Sequence, residues 1–280
     1  MAGPEARASD RSKLVRRLVT AAVLVPPVLA LLWAGGLYSA ALIAAAAGIA
    51  AWEFIRLTLP EGPKERWAAI AGSAALPLLP AIAGRGAPAI ALGIVTAVSG
   101  VAWGWHVVRG EIGKGAGHAP ALVSGIAFTG ISLFWLAAIR ARADGFAWTV
   151  TVLAATWVND AAAFFGGRTF GRHKLAPQVS PGKSWEGALF GVLGAAAASA
   201  SCAWVFAPAL RAWDAAAMAA IASVAGPLGD LMKSLVKRAR GVKDAGGLFP
   251  GHGGMLDRID AVLVNAPLAA LYLALAHPAG

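Results

Sequence analysis

The sequence predicts an all-α integral membrane protein, a polytopic bundle of about nine transmembrane helices. Of its 280 residues, 58% are hydrophobic and only 14% are charged, and the mean hydropathy is +0.67. A soluble domain carries about 25% charged residues and about 45–50% apolar ones. Long apolar runs alternate with short polar segments along the chain. These observations exclude an ordinary soluble domain.

Nine apolar runs fit the length of about 20 residues that a membrane-spanning helix needs. Two runs are weaker candidates because prolines interrupt them, Pro77 and Pro80 in one and Pro227 in the other. The stretch Leu18–Trp52, which makes up most of the first two runs, has no charged residue and predicts a helical hairpin that turns at Gly35–Gly36. The predicted spans are 17–35, 38–57, 67–84, 87–108, 119–140, 146–167, 187–208, 214–236 and 260–277.

The basic residues predict the orientation of these spans. With the N-terminus in the cytoplasm, all but four of the 24 Lys and Arg residues fall on the cytoplasmic side. The two longest polar loops, 168–185 and 237–259, then face the cytoplasm, where nucleotides are found. A basic N-terminus before an apolar run is also a feature of signal peptides, but further spans follow here. The four exceptions are Arg85, Arg140, Arg142 and Arg211.

The net charge of +10 would indicate a nucleic-acid partner in a soluble protein. Here the basic residues lie mostly between apolar runs, so we expect membrane lipids and anionic substrates as partners, and no nucleic acid. We divide the chain into N-terminal scaffold spans at 1–145 and a catalytic membrane region at 146–280, which form one structural unit. The sequence shows neither an internal repeat nor a strand pattern.

Three acidic residues fall inside the apolar runs. A charge within a span costs about 2.5–3.5 kcal/mol on insertion scales, so such residues are candidates for function. Glu53 has Arg56 three residues later, at the spacing of helix neighbours, and we interpret this pair as structural. For Asp160 and Asp230 we expect no such structural partner, and both lead into basic loops.

The segment after Asp230 combines acidic, hydroxyl and basic groups. If 228–240 is helical, Asp230, Ser234, Lys237 and Arg238 share one face. Mg2+ usually takes one or two protein carboxylates together with substrate phosphates. Lys and Arg side chains hold phosphate oxygens. This face therefore suits a metal ion that carries a polyphosphate.

The glycine-rich segment that follows supplies backbone without side-chain bulk. Gly253 and Gly254 let amide N–H groups approach a phosphate, and His252 can donate to one. Asp257 is a candidate second metal ligand, and Asp260 lies one helical turn later. A charged loop that binds anionic lipid is the alternative, but lipid adhesion needs only the cations.

The other polar loop is also basic and rich in glycine. Its segment Ser180-Pro-Gly-Lys-Ser184 is similar to a phosphate-binding loop only superficially. It lacks the G-x-x-x-x-G-K spacing and the preceding strand, so we reject a Walker A motif. Ser184 followed by Glu186 predicts the start of the next helix.

Two segments resemble the signature of the phosphatidate cytidylyltransferases, also called CDP-diglyceride synthases. One contains Ser234-Leu-Val-Lys-Arg, Gly-Val-Lys-Asp and Pro-Gly-His-Gly-Gly-Met-Leu-Asp-Arg-Ile-Asp260. The other is Lys174-Leu-Ala-Pro-x-Val-Ser-Pro-Gly-Lys-Ser-Trp-Glu-Gly187. They cover residues 160–265, whereas the first 150 residues match only in apolar character.

The resemblance implies transfer of the cytidylyl group of CTP to phosphatidate, giving CDP-diacylglycerol and pyrophosphate in phospholipid biosynthesis. It implies Mg2+ as cofactor, with K+ as a candidate second ion, and a homodimer in the bacterial plasma (inner) membrane. It implies catalytic roles for Asp230, Asp257, Lys237 and Arg238, with the two aspartates as metal ligands. The implied substrate and phosphate contacts are Ser180, Lys183, Ser234, Lys243, His252, Gly253, Gly254 and Arg258, and the secondary candidates are Asp160, Asp244 and Asp260.

The sequence departs from the family at two places. The family commonly has Glu where Lys233 stands, so either that acid is peripheral or another acid such as Asp244 rebalances the charge. Ala161 and Ala162 follow Asp160, where the family usually has small polar residues.

Two other functions stay open. One is another CTP-using membrane lipid enzyme, either a lipid-alcohol kinase or an isoprenoid-lipid cytidylyltransferase. The other is a transporter of phosphorylated solutes, which should show the inverted halves that this sequence lacks.

Overall fold

The computed structural model describes residues 23, 25–207, 209–242 and 254–278. Within these residues almost all regular structure is helical, as the apolar composition predicts. The helices are α1 (Val25–Ala34), α2 (Gly36–Thr58), α3 (Pro63–Ala75), α4 (Leu79–Ala83), α5 (Ala87–Val108), α6 (Ile112–Gly125), α7 (Ser132–Arg140), α8 (Gly145–Phe170), α9 (Trp185–Val205), α10 (Ala212–Ala239) and α11 (Leu256–Ala276).

Six helical segments of the described chain are long and apolar enough to cross a membrane. This confirms an all-α membrane protein but not the count of nine spans. One of the six, Pro63–Val108, runs through α3, α4 and α5 over 46 residues. The others are Gly36–Thr58, Ile112–Arg140, Trp185–Val205, Ala212–Ala239 and Leu256–Ala276.

The predicted hairpin turn lies between α1 and α2. Gly35 and Gly36 have φ angles of 69° and 50°, in the left-handed region that glycine adopts without strain. Arg140 then closes the turn, because its guanidinium donates to the backbone carbonyls of Leu32 and Trp33 at the end of α1. Those carbonyls have no partner within the helix, so the contact satisfies them.

The prolines act differently in the two interrupted runs. In the run with Pro77 and Pro80, α3 is followed by a 3-10 turn at Leu76–Leu78, and α4 begins after it. Pro227, in contrast, lies inside α10, which continues without a break to Ala239. One helix therefore carries Asp230 and the basic residues of the motif that follows it.

Two short strands, β1 (Lys174–Ala176) and β2 (Ser180–Ser184), form an antiparallel hairpin between α8 and α9. The expectation that the chain has no strand is wrong here. The hairpin lacks the apolar alternation by which strands are recognised, because β1 has only three residues and β2 reads Ser-Pro-Gly-Lys-Ser. The carboxylate of Glu186 holds it in place by accepting the backbone N–H groups of Arg172 and His173.

Helices α8 and α9 pack through small residues. A Cβ atom at Gly187 of α9 would lie 2.8 Å from the carbonyl oxygen of Ala163 on α8. Such close approach of helix backbones is typical of helix pairs in membranes. The hairpin joins these two helices, and its Lys183 reaches α10, where it contacts the backbone carbonyl of Pro227 and the carboxylate of Asp230.

Candidate active site

Asp230 and Asp257, the two predicted metal ligands, lie on different helices and meet at one ammonium group. The Nζ atom of Lys233 lies 3.1 Å from Oδ1 of Asp230 and 3.3 Å from Oδ1 of Asp257. Because both Oδ1 atoms contact the same nitrogen, the distance between them cannot exceed these two distances added together. The structure brings both residues to the same end of the bundle.

Lys233 is the centre of this arrangement. Its Nζ atom also contacts Oδ2 of Asp260, and its side chain is only 7% exposed. The position is possible because α10 and α11 touch at Gly229, where a side chain would overlap the backbone of Asp260. A buried ammonium group needs paired charges to offset its lost hydration. The residue that departs from the family pattern thus lies among the site acids.

Two more lysines flank the carboxylates. Lys183 of β2 places its Nζ atom 3.0 Å from Oδ2 of Asp230, and Lys237 of α10 places its Nζ atom 3.0 Å from Oδ1 of Asp257. These lysines are 23% and 13% exposed, more than Lys233. Each aspartate therefore bridges a buried lysine and a more accessible one.

Asp160 lies at the edge of this group, near the middle of α8. Its Oδ1 atom accepts a 3.4 Å hydrogen bond from the amide of Asn159, and its charge interacts with those of Asp260, Asp230 and Lys183. With Asp160 included, the group contains four carboxylates and three ammonium groups. We call this group the charged cluster: Asp160, Lys183, Asp230, Lys233, Lys237, Asp257 and Asp260.

Glu53 holds the start of α11 in position, which the sequence analysis did not predict. Its fully buried carboxylate accepts the backbone N–H groups of Met255 (3.0 Å) and Leu256 (2.7 Å). Negative charge at a helix N-terminus is stabilising because it satisfies unpaired N–H groups. Arg56, the expected partner, instead lies 5.5 Å from the centre of the Trp52 ring. An acidic residue within an apolar span was the signal, but its partner is about 200 residues away.

The remaining predicted residues lie around the charged cluster or beyond the described chain. Ser234 is half-buried on α10, Ser180 pairs with Ala176 in the hairpin, and the backbone N–H of Gly254 donates to Oδ2 of Asp257 over 3.3 Å. Arg238 and Arg258 are exposed, and among the described residues no ion pair joins Arg238 to the cluster. Outside the described residues lie Lys243, Asp244, His252 and Gly253.

The chemistry of the charged cluster suits phosphate and metal together. Carboxylates are the ligands that hard divalent cations prefer, and lysines form charge-assisted hydrogen bonds with phosphate oxygens. The fold is that of an all-α integral membrane protein, and the cluster lies where the last third of α10 and the start of α11 meet β2. Together they define a membrane protein with a charged candidate site at one end of its bundle.

Comparison with known proteins identifies the family. Residues 15–276 match the model of the cytidylyltransferase family. A phosphatidate cytidylyltransferase of Pseudomonas aeruginosa is 33% identical over 274 residues, 93% of this chain and 97% of the relative. Another, from Brucella suis, is 40% identical over 150 residues, 53% of this chain and 55% of the relative. One from Haemophilus influenzae is 44% identical over 119 residues, 40% of each chain.

The matches to the Brucella and Haemophilus relatives span about half of those proteins or less. The family match and the Pseudomonas relative, in contrast, cover nearly the whole of this chain. The chain belongs to the phosphatidate cytidylyltransferase family, as its two motif segments predicted.

Proposed function

We propose that this protein transfers the cytidylyl group of CTP to phosphatidate and releases pyrophosphate, forming CDP-diacylglycerol. The observation that carries the proposal is the convergence of Asp230 and Asp257 on one buried cation, with a further lysine beside each. Family membership supports the same reaction. Both substrates are phosphate anions, so a site of paired carboxylates and lysines matches them.

The membrane arrangement that we propose has nine spans and a cytoplasmic N-terminus. A helix rises 1.5 Å per residue, so the 46-residue segment Pro63–Val108 is long enough for two crossings of a core about 30 Å thick. The 26 residues of α8 allow another, and α1 belongs to the first apolar run. The distribution of Lys and Arg supports cytoplasmic orientation of the site. The proposed location in the plasma membrane follows from the family resemblance. We also propose a homodimer, on the resemblance alone.

The residues present fit a divalent cation such as Mg2+. Within the charged cluster the carboxylates outnumber the ammonium groups by one. The two proposed metal ligands come from separate helices, α10 and α11. Asp230 and Asp257 would hold the ion. When bound, it would supply positive charge to the phosphate oxygens of CTP. Lys183 and Lys237 would leave the aspartates and bind phosphate, because they are the more exposed lysines.

Lys233 has a different role in this proposal. It is contacted by three carboxylates and buried between two helices, so it stays in place as a resident cation. Its single charge would allow four acids to lie together with one bound divalent ion. A Glu at this position, as the family commonly has, would instead require an additional cation.

The reaction forms one bond and breaks another. An oxygen of the phosphatidate phosphate attacks the α-phosphorus of CTP, and the bond between the α-phosphorus and the bridging oxygen to the β-phosphate breaks. Lys183 and Lys237 lower the repulsion between the two anions and stabilise the charge that develops on pyrophosphate. A phosphate monoester is already largely ionised near neutral pH, so no general base is needed.

A labelled-nucleotide assay tests the proposed reaction. Purified protein in detergent receives CTP labelled at the α- or the γ-phosphorus, together with phosphatidate, a polyprenol or an archaeal-type ether lipid. We expect the α-label in lipid with phosphatidate only, and the γ-label in pyrophosphate. Transfer of the γ-label to lipid would indicate a CTP-dependent kinase, and α-label in the other lipids a different cytidylyltransferase. Solute flux in vesicles without lipid product would indicate a transporter.

Replacing Glu53 by alanine is expected to lower stability and cytidylyl transfer together. The change leaves two N–H groups at the buried start of α11 without their acceptor, at a cost of about 1–3 kcal/mol each. Glu53→Gln keeps one acceptor oxygen and should fall in between. Thermal unfolding in detergent measures the effect, with the exposed Glu61→Ala as control. An unchanged unfolding temperature for Glu53→Ala would contradict the anchoring role.

A further inference from the structure

A second group of ionisable side chains lies apart from the charged cluster, where the start of α3 meets the end of α5 and the first half of α6. Glu65, His106 and His118 each place one potential ligand atom so that all three atoms lie within 4.8 Å of one another. We propose that these three residues bind a divalent transition-metal ion of the Zn2+ class. Two of the protein's five histidines converge here, and the proposed reaction uses neither.

The hydrogen bonds in this group match those of a histidine metal site. Nδ1 of His106 lies 3.0 Å from a carboxylate oxygen of Glu111, which leaves Nε2 as the ligand atom of that ring. A carboxylate behind the ring is the usual means of orienting a metal-binding histidine. Nδ1 of His118 lies 2.8 Å from Oε1 of Glu65, so a nitrogen atom and an oxygen atom that can both bind a metal ion are adjacent.

The fold holds these residues close together. Glu65 and His118 are 53 positions apart in the chain and belong to different helices. A Cβ atom at Gly115 of α6 would lie 2.9 Å from Cβ of His106, so the glycine allows α6 to lie directly against the end of α5. The three side chains are between 11% and 19% exposed, which limits competition from water without closing the site.

Charge and ligand type favour a transition metal over Mg2+. With both imidazoles neutral, Glu65 and Glu111 supply two negative charges, and Lys114 lies 3.9 Å from Glu111. These two carboxylates can offset the charge of a divalent ion. Two imidazole nitrogens and one carboxylate oxygen are the set that Zn2+ and Co2+ prefer, whereas Mg2+ prefers oxygen ligands alone. The site therefore differs in kind from the charged cluster, whose candidate metal ligands are all carboxylates.

A bound ion would attach α5 to its neighbours. The buried residues of α5 are Ala87 and Ala91, both at the opposite end from His106. The end that carries His106 thus has little apolar packing of its own. A metal that joins α3, α5 and α6 would stabilise the folded state, because it binds that state and not the unfolded chain.

Metal titration of the chelator-treated protein in detergent tests this inference. We expect the wild type to bind Co2+ with a visible d–d absorption spectrum, and Zn2+ to displace it and raise the unfolding temperature. His106→Ala should weaken Co2+ binding at least about 100-fold, because it removes a ligand. Changing a residue that only hydrogen-bonds to a ligand already lowers metal affinity about 10–100-fold. Glu111→Gln should weaken it less.

Two variants separate ligand loss from misfolding. His118→Gln can still donate to Glu65 but lacks the imidazole, so it should fold and lose the Co2+ spectrum. His173→Ala, on the hairpin beside Glu186, should keep the spectrum unchanged. Because only binding is measured, the result is independent of the proposed reaction. A wild-type spectrum in both His106→Ala and His118→Gln, or no Co2+ spectrum in the wild type, would overturn the inference.

Discussion

Asp257→Asn is expected to reduce cytidylyl transfer at least about 10³-fold, a loss of about 4 kcal/mol of transition-state stabilisation. Oδ1 of Asp257 accepts from Lys233 and Lys237, and Oδ2 accepts from the backbone N–H of Gly254. Asparagine has nearly the same shape but no charge. The substitution therefore removes a proposed metal ligand and leaves two lysines with one fewer counter-charge. Asp230→Asn should have a similar effect, since Asp230 bridges Lys183 and Lys233.

The measurement is the initial rate with saturating CTP and phosphatidate, on protein shown to be inserted in the membrane at the wild-type level. Asp144→Asn is the matched control, because Asp144 precedes α8 at the opposite end from the hairpin and pairs with Arg142 and Trp148. It should keep nearly full activity. Near-normal turnover in Asp257→Asn or Asp230→Asn would refute the metal assignment.

The sequence predicted the class of fold because bilayer thickness constrains helix length. The hydropathy pattern therefore located the helices, and the two glycines at 35 and 36 located the first turn. The hairpin Lys174–Ala176 with Ser180–Ser184 was missed, since its stability comes from pairing and from Glu186 and not from an apolar face. The pattern of a short stretch of sequence reveals only those elements whose structure that stretch itself determines.

The site was predictable within one helix and less so between helices. Helical spacing placed Asp230 and Lys237 on one face of α10, whereas Asp257 was linked to them only as a carboxylate after the glycine-rich segment and by the family resemblance. The role of Glu53 could not be deduced, because its partner Leu256 is 203 residues away. Lys233 was set aside as a departure, although its separation of three residues from Asp230 already allowed the contact that the structure contains.

Lys233→Met is expected to lower activity about 10²-fold at low Mg2+, together with stability. Methionine has an unbranched side chain that extends as far as Cε but lacks the ammonium group that Asp230, Asp257 and Asp260 share. Breaking a buried ion pair by removing one partner costs about 3–5 kcal/mol, because the remaining charge is left unpaired. Here three carboxylates would repel one another until another cation replaces the ammonium group.

Metal binding distinguishes a resident cation from an ordinary structural lysine. Mn2+, followed by electron paramagnetic resonance, should bind the wild type at one site in the charged cluster, and Lys233→Met should bind an additional equivalent. Lys233→Glu, which restores the residue common in the family, should recover activity only when Mg2+ or K+ is raised. A purely structural lysine would give lower stability with unchanged Mn2+ stoichiometry. That result would contradict the proposal, and so would a wild-type Mg2+ dependence of activity in Lys233→Met. Either outcome would mean that the four carboxylates can lie together without the charge of Lys233.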